Sequence, residues 1–577
     1  MIRLKKLYTF PEITKPIIFK NGLNFILGER DGSSQKTNGV GKSMSIEFIN
    51  FCLLTRIESS RVAKIPSNVL PPETLICLDL VINDYEITIL RSLKNADNPE
   101  IITNKGNKVT FDSAENALHY LNDLYYTNKS VINLNPSFRE LLNPSIRDER
   151  SEFKDIVSYF DTKKRIPSDH MPTLYMLGFD VAVYRLAKTT IKEVDKITSV
   201  ISNLKNSLTH NNTRNLSDVR ANVNSSEGEL KKLEDELEEL KTFESFDVIQ
   251  NQLVDIDSEL DKLRTENSFL KLSIHKIRSL PEIETINEED VLFVYEQFKE
   301  GLGNQLKKTF EEVNSFKNKI ENFQNYIVNE KLKNLIARQK KVSSDIKTLD
   351  DERSKILNTF DKDGIFKDLK QSLAIYHQKS EESSLARTQL KSYDANIKEK
   401  NRLKSVKSSL VTRIDTLIVE NDKKIESFNN SISDIHEFIM GNKTCSFDIV
   451  TVNKDTYKDV VKFNMSIDYG GSHSVERIKV FIYDLALLFN ENTKHKHPNF
   501  LIHDNIFDVD QDTLFRSLNY LYSLENQDSF QYILTLNSDK FENKEATQSL
   551  DFDIHDFARA IFTKTNRFII GDKYSEI

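Results

Sequence analysis

The stretch Gly28–Ser45, GERDGSSQKTNGVGKSMS, contains most of a phosphate-binding loop, and it decides how the rest of the chain is interpreted. The P-loop pattern is G-x-x-x-x-G-K-[ST], and Gly41, Lys42 and Ser43 satisfy its last three positions. The position of the first glycine is occupied by Lys36. Either the loop carries an insertion, or the Gly-Lys-Ser sequence arises by chance and binds no nucleotide.

The flanking sequence favours a loop with an insertion. The apolar run Leu23–Leu27 predicts a strand before the loop, and MSIEFINFCLL after Ser43 predicts a helix behind it. If Gly28 is the first glycine, twelve residues rather than four separate it from Gly41, so eight extra residues loop out. The helix start attracts an anion, Lys42 would reach the β- and γ-phosphates, and the Ser43 hydroxyl would bind Mg²⁺. The predicted nucleotide-binding residues of the loop are Asn38, Gly39, Val40, Gly41, Lys42, Ser43 and Met44.

A P-loop site also needs an acidic residue at the end of a neighbouring strand to hold the Mg²⁺ and its water shell. FLIHD, residues 500–504, predicts a buried strand that ends in Asp504. The ATP-binding-cassette pattern has a water-activating Glu next, but here the residue is Asn505, and an amide orients water without accepting its proton. The sequence therefore predicts slow ATP hydrolysis at Asp504 and Asn505, or the use of Asp508 or Asp510 as the base. Those two aspartates suit contact with a second subunit equally well.

A glycine- and serine-rich turn precedes this strand. Tyr469–Phe489, YGGSHSVERIKVFIYDLALLF, lies about 30 residues before Asp504, where a cassette ATPase carries its signature motif. Ser472 and Ser474 are candidates for contacting the γ-phosphate held by a second subunit, although the literal L-S-G-G is absent. A capped core helix is the alternative interpretation. After the strand YILTL, Asn537 occupies the switch position at which many cassette ATPases have a phosphate-sensing histidine.

Two further polar groups are weaker candidates. His495, His497 and His503 lie around strand 500–504, but His-x-His beside a proline is more typical of a loop than of a metal site. The stretch 137–150, SFRELLNPSIRDER, carries three arginines where a cassette lobe would approach nucleotide or DNA. These arginines are as consistent with a structural role as with a binding role.

The composition limits the class of protein. Charged residues make up 29% and hydrophobic residues 38% of the 577 residues, as is typical of long solvated helices. The net charge of -8 argues against a basic coat for nucleic acid, although a local basic patch stays open. The three cysteines form no C-x-x-C motif and suit a reducing cytosol, and no apolar run is long enough to span a membrane. The sequence therefore predicts a cytoplasmic protein with no membrane contact.

The hydrophobic pattern divides the chain into three regions. Residues 1–182 are of mixed α/β type, with hairpin signals around Asn83-Asp84 and Gly106. Residues 183–434 contain charged heptads, such as Leu230, Leu233, Leu237 and Leu240, which indicate a coiled coil. Strand signals return in residues 435–577. Neither end has enough strands for a complete domain.

We therefore predict an α/β fold in which 1–182 and 435–577 form one split P-loop ATPase head of the cassette type. A long antiparallel coiled coil, 183–434, would be inserted in it and would turn back near 279–290, where Pro281 lies. An ordinary globular helical bundle is the alternative for the middle region, because several heptad runs are short.

With a P-loop at one end, Asp504 at the other and a coil between them, the chain resembles the SMC and DNA-repair ATPase superfamily. The segments LGERDGSSQKTNGVGKS, 294–320, IKVFIYDLALL and FLIHDNIFDVD are similar to a bacterial branch of coiled-coil ATPases. The C-terminal region of that branch is known only as a domain of unknown function. Its members are typically the ATPase of ABC-three-component conflict systems, similar in plan to the Lamassu anti-phage system.

This resemblance implies ATP and Mg²⁺ as ligands and a homodimer that forms through the heads. It also implies a small middle component, a separate effector that is often a nuclease, and sensing of duplex DNA in defence against phages or plasmids. The replaced Glu and the degenerate signature argue against fast turnover, and no SMC hinge is visible in the coil. From another class of function, an ATP-gated scaffold would hold protein partners without touching nucleic acid. A transporter subunit or an RNA-directed toxin is the third alternative.

Overall fold

The computed structural model describes residues 1–570 except 32–36, 38, 105, 127–134, 160, 164–165, 167, 210–212, 241–249, 279–305, 359–364, 456, 469–472, 525–529 and 542–548. The described residues form two compact units. The first contains 1–191 and 406–570, and the second contains 192–278 and 306–405. Each unit contains one segment from the N-terminal half of the chain and one from the C-terminal half.

Strands are confined to the first unit in the described part of the chain, whereas helices occur in both units. The strands are β1 (Ile2–Phe10), β2 (Ile17–Ile18), β3 (Gly22–Gly28), β4 (Leu75–Ile82), β5 (Tyr85–Arg91), β6 (Glu100–Thr103), β7 (Lys108–Thr110), β8 (Ile146–Arg147), β9 (Cys445–Thr451), β10 (Val461–Ile467), β11 (Phe500–Asp504), β12 (Gln531–Asn537) and β13 (Ala558–Phe562). The helices are α1 (Lys42–Cys52), α2 (Ala114–Tyr125), α3 (Phe138–Leu142), α4 (Met171–Met176), α5 (Val181–Leu208), α6 (Leu216–Leu240), α7 (Gln250–Arg278), α8 (Leu306–Asn358), α9 (Ile365–Glu420), α10 (Asp422–Met440), α11 (His473–Phe489) and α12 (Gln511–Ser523). The mixed α/β class expected from the sequence is confirmed.

A parallel sheet joins the two ends of the chain. Its order is β13-β3-β12-β11-β8, and every neighbouring pair is parallel. β3 pairs with β12 in register from Gly22 opposite Gln531 to Gly28 opposite Asn537. The central strands β3, β11 and β12 are buried along their whole length, which explains their nearly continuous apolar sequences. Because parallel strands end at one edge, the residues that follow β3, β8, β11 and β12 meet there.

Two hydrophobic cores lie on opposite faces of the parallel sheet. Alternate residues point to opposite faces of a strand. Ile502 and Ile533 accordingly enter a core with α1 and the antiparallel sheet, whereas Leu501 and Leu534 enter a core with α4, α10 and α11. Helix α1, which carries Lys42 and Ser43, is therefore fixed by burial of most of its length.

The remaining strands form antiparallel sheets. β2-β1-β4-β5-β6-β7 form one sheet of the described chain, and β9 pairs with β10 in another. The predicted hairpins are confirmed: Asn83 turns between β4 and β5 with φ 53°, and Gly106 turns between β6 and β7 with φ 75°. Both turns need the left-handed backbone region that Asn and Gly tolerate.

The boundaries of the helical unit differ from those inferred from heptads. The first unit resumes at residue 406, not at 435. Leu410, Ile414 and Leu417 continue the heptad spacing, but Ile414 and Leu417 are buried in the core beside α10 and α11, and Leu410 packs against it. Apolar residues at helical spacing pack against a globular core as readily as against another coil helix, so the pattern alone does not mark the end of the coil.

In the second unit, helices pack in antiparallel pairs held by ion pairs across them. Helix α7 lies against α8, and α6 lies against α9. The cross-helix ion pairs include Arg220–Asp394, Arg264–Asp350, Arg353–Asp257 and Arg387–Glu227. In an antiparallel pair, the midpoint between two paired residue numbers marks the sequence position about which the pairing is symmetric. These midpoints fall at about 305 to 307, beyond the predicted turn-back near 279–290. That predicted turn itself lies outside the described residues. In the described residues, no helix is long and apolar enough to cross a bilayer.

Candidate nucleotide-binding site

The first component of the site is a set of oxygen atoms at the start of α1 and the end of β11. Ser43 Oγ donates a hydrogen bond to Asp504 Oδ1 at 3.0 Å, and Thr535 Oγ1 on β12 donates to the same oxygen at 2.7 Å. Asp504 is almost fully buried, and burial raises its pKa, while the two hydroxyl donors oppose that rise. The structure thus brings Ser43 and Asp504 together, as a shared Mg²⁺ site requires.

The second component is the ammonium group of Lys42. Its Nζ donates to Asn537 Oδ1 at 2.6 Å and to the Thr37 carbonyl at 3.3 Å. Burial lowers the pKa of Lys42, and the negative charge of Asp504 opposes this. Gly28 leaves the space for this group, because a Cβ at residue 28 would lie 2.5 Å from Nζ. Asn537, predicted at the switch position, therefore contacts the lysine of the loop directly.

The loop before α1 has the backbone shape that its glycines allow. Gly39 has φ 73° and Gly41 has φ 104°, and a Cβ on Gly41 would lie 2.5 Å from the Cβ of Phe568. The Phe568 N–H donates to the Val40 carbonyl at 3.1 Å, so a C-terminal segment holds the loop in place.

Other predicted loop residues have different positions. The side chains of Val40 and Met44 are buried in the core beside α1, so only their backbone groups are available to a ligand. Asn38 lies outside the described residues. The predicted contact at Asn38 stays a prediction.

Asn505 follows Asp504 in a left-handed conformation, with φ 59°. Its N–H donates to Thr535 Oγ1 at 2.9 Å, and its carbonyl accepts from Arg477 Nη1 at 2.8 Å. The side-chain Nδ2 lies 3.4 Å from Glu149 Oε1. Three elements therefore determine where the Asn505 amide points.

The two aspartates proposed as alternative bases have other surroundings. Asp510 accepts from the N–H of Thr513 at 2.9 Å and from its hydroxyl at 2.8 Å, so it caps α12. Asp508 is exposed, and its charge acts on Lys540. Neither carboxylate has a hydrogen bond to the Ser43–Asp504 pair among the contacts of the described chain.

The signature-like turn is only partly within the described residues. Ser472 lies outside them, while Ser474 is half-buried in the first turn of α11. Arg477, one turn further, stacks its guanidinium 5.1 Å from the Phe153 ring and bonds to the Asn505 carbonyl. The predicted contacts of Ser472 and Ser474 with a second subunit stay predictions.

The donor set suits ATP with Mg²⁺. Mg²⁺ prefers oxygen ligands, keeps several waters, and is often held by one or two carboxylates together with phosphate oxygens. Ser43 and Asp504 offer such a half-site, and the backbone of 39–43 with Lys42 offers positive potential at a helix start. Within the described residues, no group of three or more His, Cys, Asp or Glu side chains is arranged to hold a metal alone.

A buried polar network beside the site explains several residues that the sequence left ambiguous. Arg147 donates to Asp484 from Nε at 2.5 Å and from Nη2 at 2.7 Å, and His503 Nε2 lies 3.0 Å from Asp484. All three side chains are essentially fully buried. Arg147 is therefore structural, as one of its two alternative interpretations had it. His503 lies in the buried strand β11 and not in a loop, and its ring is engaged by Asp484.

Sequence reasoning missed Glu149 and Thr535. Thr535 lies inside the apolar run YILTL, where a polar residue among buried neighbours was the available signal. Glu149 follows β8, a strand of two residues, Ile146–Arg147. A strand that short has no detectable period, so only the pairing of β8 with β11 reveals that Glu149 reaches the site edge.

Comparisons with known proteins support part of the resemblance. Residues 435–569 match the family described as "Uncharacterised protein conserved in bacteria (DUF2326)". This match confirms the expected C-terminal domain of unknown function. "Uncharacterized protein YydD" of Bacillus subtilis (strain 168) is 24% identical over 568 residues, covering 90% of each chain.

Solved structures of Smc head domains are also similar. One is the Smc head domain with a coiled coil and joint from Pyrococcus yayanosii, 13% identical, with a TM-score of 0.37, covering 100% of this chain and 97% of that chain. Another is the Smc head domain with an extended coiled coil, bound to the C-terminal domain of ScpA, from Pyrococcus furiosus. It is 11% identical, with a TM-score of 0.33, and the match covers 99% of this chain and 96% of that chain. TM-scores of this size do not establish a common fold, so the fold rests on the strand order and the loop geometry.

Proposed function

We propose that this chain is an SMC-like ATPase that binds ATP with Mg²⁺ at residues 39–43, Asp504 and Asn537. The observation that carries the proposal is the convergence of Lys42 with Asn537 and of Ser43 with Asp504 at one edge of a parallel sheet. Lys42 would exchange Asn537 Oδ1 and the Thr37 carbonyl for phosphate oxygens, which are stronger partners for a buried cation. Hydrolysis would be slow because the residue after Asp504 is an amide.

Nucleotide binding is tested by titrating the protein with a fluorescent ATP analogue in the presence of Mg²⁺. We expect Lys42→Ala to lose binding, because the β- and γ-phosphates then lack their cation. Lys94→Ala is the control, since Lys94 lies on the surface next to Glu73. Equal affinity of the wild type and Lys42→Ala for ATP would contradict the proposed site.

We further propose that two heads dimerise around two ATP molecules and that the protein senses DNA to control a separate effector. A cytoplasmic defence role against phages or plasmids, with a small middle component and an effector such as a nuclease, follows from the resemblance of the sequence. The absence of a recognisable nuclease motif in the sequence supports an effector on another chain. Ser472 and Ser474 would contact the γ-phosphate on the opposite head.

DNA sensing is tested by measuring the affinity for duplex DNA with and without ATP over a salt series, with linear and closed circular molecules. Contacts with phosphates make the affinity fall steeply with salt. ATP-dependent, salt-sensitive binding that prefers linear ends is the expected result. The absence of binding in every nucleotide state would contradict direct DNA sensing by this chain alone.

The alternative function, an ATP-gated scaffold for protein partners, is favoured by the charges of the helical unit. Arg220, Arg264, Arg353 and Arg387 each form an ion pair with an acidic residue of a neighbouring helix. These cations are already neutralised, and the whole chain carries a net charge of -8. The same DNA titration separates the two functions, because a scaffold would show no salt-sensitive affinity for DNA while still binding ATP.

A further inference from the structure

The site has a catalytic problem at Asn505. Hydrolysis of ATP needs a group that takes a proton from the attacking water, and an amide does not accept a proton at neutral pH. A carboxylate within reach of the Asn505 side chain would solve this problem. The described residues near this sheet edge include Asp148, Glu149, Asp508, Asp510 and Asp539.

Two of these carboxylates are hydrogen-bonded to neighbouring residues, and a third has a charge interaction with Lys540. Asp148 accepts from the Arg150 N–H at 2.8 Å and from Arg150 Nε at 2.9 Å. Asp510 uses both carboxylate oxygens to cap α12 through Thr513. Asp508 is exposed and acts on Lys540 rather than on the Ser43–Asp504 pair.

Asp539 and Glu149 interact with different partners in the site. The charge of Asp539 acts on Lys42 and on Lys540, which are both cations. The charge of Glu149 acts on Lys42 and also on Asp504. Among these carboxylates, Glu149 is the one with a direct contact to the residue after Asp504, 3.4 Å from the Asn505 amide.

The position of Glu149 is fixed by its neighbours in the chain. β8 pairs in parallel with β11, with Ile146 opposite Ile502 and Arg147 opposite His503. Glu149 comes two residues after β8 and Asn505 comes directly after β11, so the sheet itself places them side by side. Arg147 is buried against Asp484 and Arg150 binds Glu47, so the residues around Glu149 are anchored. Glu149 is exposed to solvent.

We propose that Glu149 is the general base of the ATPase, with Asn505 as the residue that orients it. This inference rests on the proposed function, ATP binding at the loop. In the reaction, the oxygen of a water molecule forms a bond to the γ-phosphorus while the bond to the β,γ-bridging oxygen breaks. The Glu149 carboxylate accepts the proton of the water and passes it to the released phosphate, which leaves ADP and inorganic phosphate. Contacts of this kind are often long before the substrate binds and shorten in the complex.

The test measures phosphate release and ATP affinity separately in the full-length chain. We expect Glu149→Gln to lower kcat by about 100-fold, as the loss of a general base does, and to leave the affinity for a fluorescent ATP analogue within a few-fold of the wild type. Glu73→Gln is the control, because Glu73 is an exposed glutamate paired with Lys94. Thermal unfolding of each variant shows whether it is folded.

A second variant tests the partnership with Asn505. Asn505→Gly keeps the left-handed backbone, which glycine adopts freely, and removes the amide. If Asn505 acts through Glu149, the double variant Glu149→Gln with Asn505→Gly has no lower kcat than Glu149→Gln alone. Asp508→Asn and Asp539→Asn test the competing carboxylates, and each should lose much less turnover than Glu149→Gln.

The outcomes separate the inference from the proposed function. A large loss of turnover in Asp508→Asn or Asp539→Asn, together with wild-type turnover in Glu149→Gln, would overturn the role of Glu149. ATP binding without any hydrolysis by the wild type would also overturn it, while leaving the nucleotide site intact. Failure of the wild type to bind ATP would overturn both.

Discussion

At the scale of single residues, the site depends on small clearances around Lys42. A Cβ at residue 28 would lie 2.5 Å from Lys42 Nζ, 3.0 Å from the Thr37 carbonyl and 3.2 Å from Asn537 Oδ1. The end of a lysine side chain moves easily, so we expect Gly28→Ala to fold but to displace the ammonium. The affinity for ATP should fall by about tenfold or more, since charge-assisted contacts with phosphate depend on this position.

Calorimetric titration with ATP and Mg²⁺ measures this change, with Gly228→Ala as the matched control. Gly228 lies inside helix α6, and a Cβ added there would have no atom within 4 Å, so alanine at this position should leave ATP affinity unchanged. Alanine is also the better helix former by about 1 kcal/mol, so the control should be slightly more stable. Unchanged ATP affinity in Gly28→Ala would show that Lys42 does not need its present position.

We expect the residue Glu47 on α1 to make the stability of the fold depend on pH. Burial raises the pKa of Glu47 to about 7, although the Arg150 charge opposes the rise. A raised pKa in the folded state means that protonation of Glu47 stabilises the fold fully below the unfolded pKa of about 4.5. This stabilisation is lost as the pH rises through about 7. We therefore expect Glu47→Gln to become more stable relative to the wild type between pH 5 and pH 8, by about 3 kcal/mol at most.

Thermal unfolding of both proteins across that pH range measures the effect, with Glu73→Gln as an exposed control. A difference in Tm between the wild type and Glu47→Gln that stays constant from pH 5 to pH 8 would contradict it. The ion pair of Glu47 with Arg150 would then hold the carboxylate charged throughout.

A site residue could be predicted from the sequence where it belongs to a local motif. It could not be predicted where only strand pairing brings it to the site. Gly41, Lys42 and Ser43 follow from the P-loop pattern, and Asp504 follows from an apolar run that ends in an acid. Glu149 is far from all of them in sequence and reaches the site through a two-residue strand. The sequence did not predict that the side chains of Val40 and Met44 are buried, because a loop pattern does not say which side chains face the core.

At the scale of elements, the Arg147–Asp484–His503 network ties α11 to β8 and β11. Removing the charge of Asp484 leaves Arg147 buried without a counter-charge, which typically costs about 3–5 kcal/mol. We therefore expect Asp484→Asn to unfold at clearly lower denaturant concentration than the wild type. The exposed pair Lys94–Glu73 is the comparison, since breaking an exposed pair costs about 1 kcal/mol or less.

Replacing the pair by apolar residues, Arg147→Met with Asp484→Leu, should restore only part of this stability. Arg147 also donates to the carbonyl groups of Ile156 and Asp155, which would lose their donor. Wild-type stability in Asp484→Asn alone would mean that the network does not hold these elements together.

The type of most long elements was predictable from period, and their partners were not. The strands around Leu23–Leu27 and at 500–504, the helix after Ser43 and the two hairpins lie where the sequence placed them. Pairing depends on contacts between residues that are distant in the chain, such as Gly22 with Gln531. Heptads likewise do not distinguish a coil helix from one that packs on a globular core, as Ile414 and Leu417 demonstrate.

At the scale of the whole molecule, the proposed ATPase predicts that its association depends on nucleotide. The signature-like residues Ser472 and Ser474 would complete the site only on a second head, so the γ-phosphate becomes the contact that joins two chains. We expect the mass in solution to double from 66.9 kDa when a non-hydrolysable ATP analogue and Mg²⁺ are added. Light scattering coupled to size-exclusion chromatography measures this mass.

Two variants test whether dimerisation depends on bound nucleotide and on the signature-like turn. Lys42→Ala should stay at 66.9 kDa with the analogue, because it does not bind the analogue and so has no γ-phosphate to bridge the heads. Ser474→Arg should bind the analogue with wild-type affinity and still stay monomeric, since a bulky cation at the start of α11 would block the contact that we propose with the opposite head. A dimer of equal stability without nucleotide, or in Lys42→Ala, would mean that another surface joins the chains. The P-loop would then control something other than engagement of the heads.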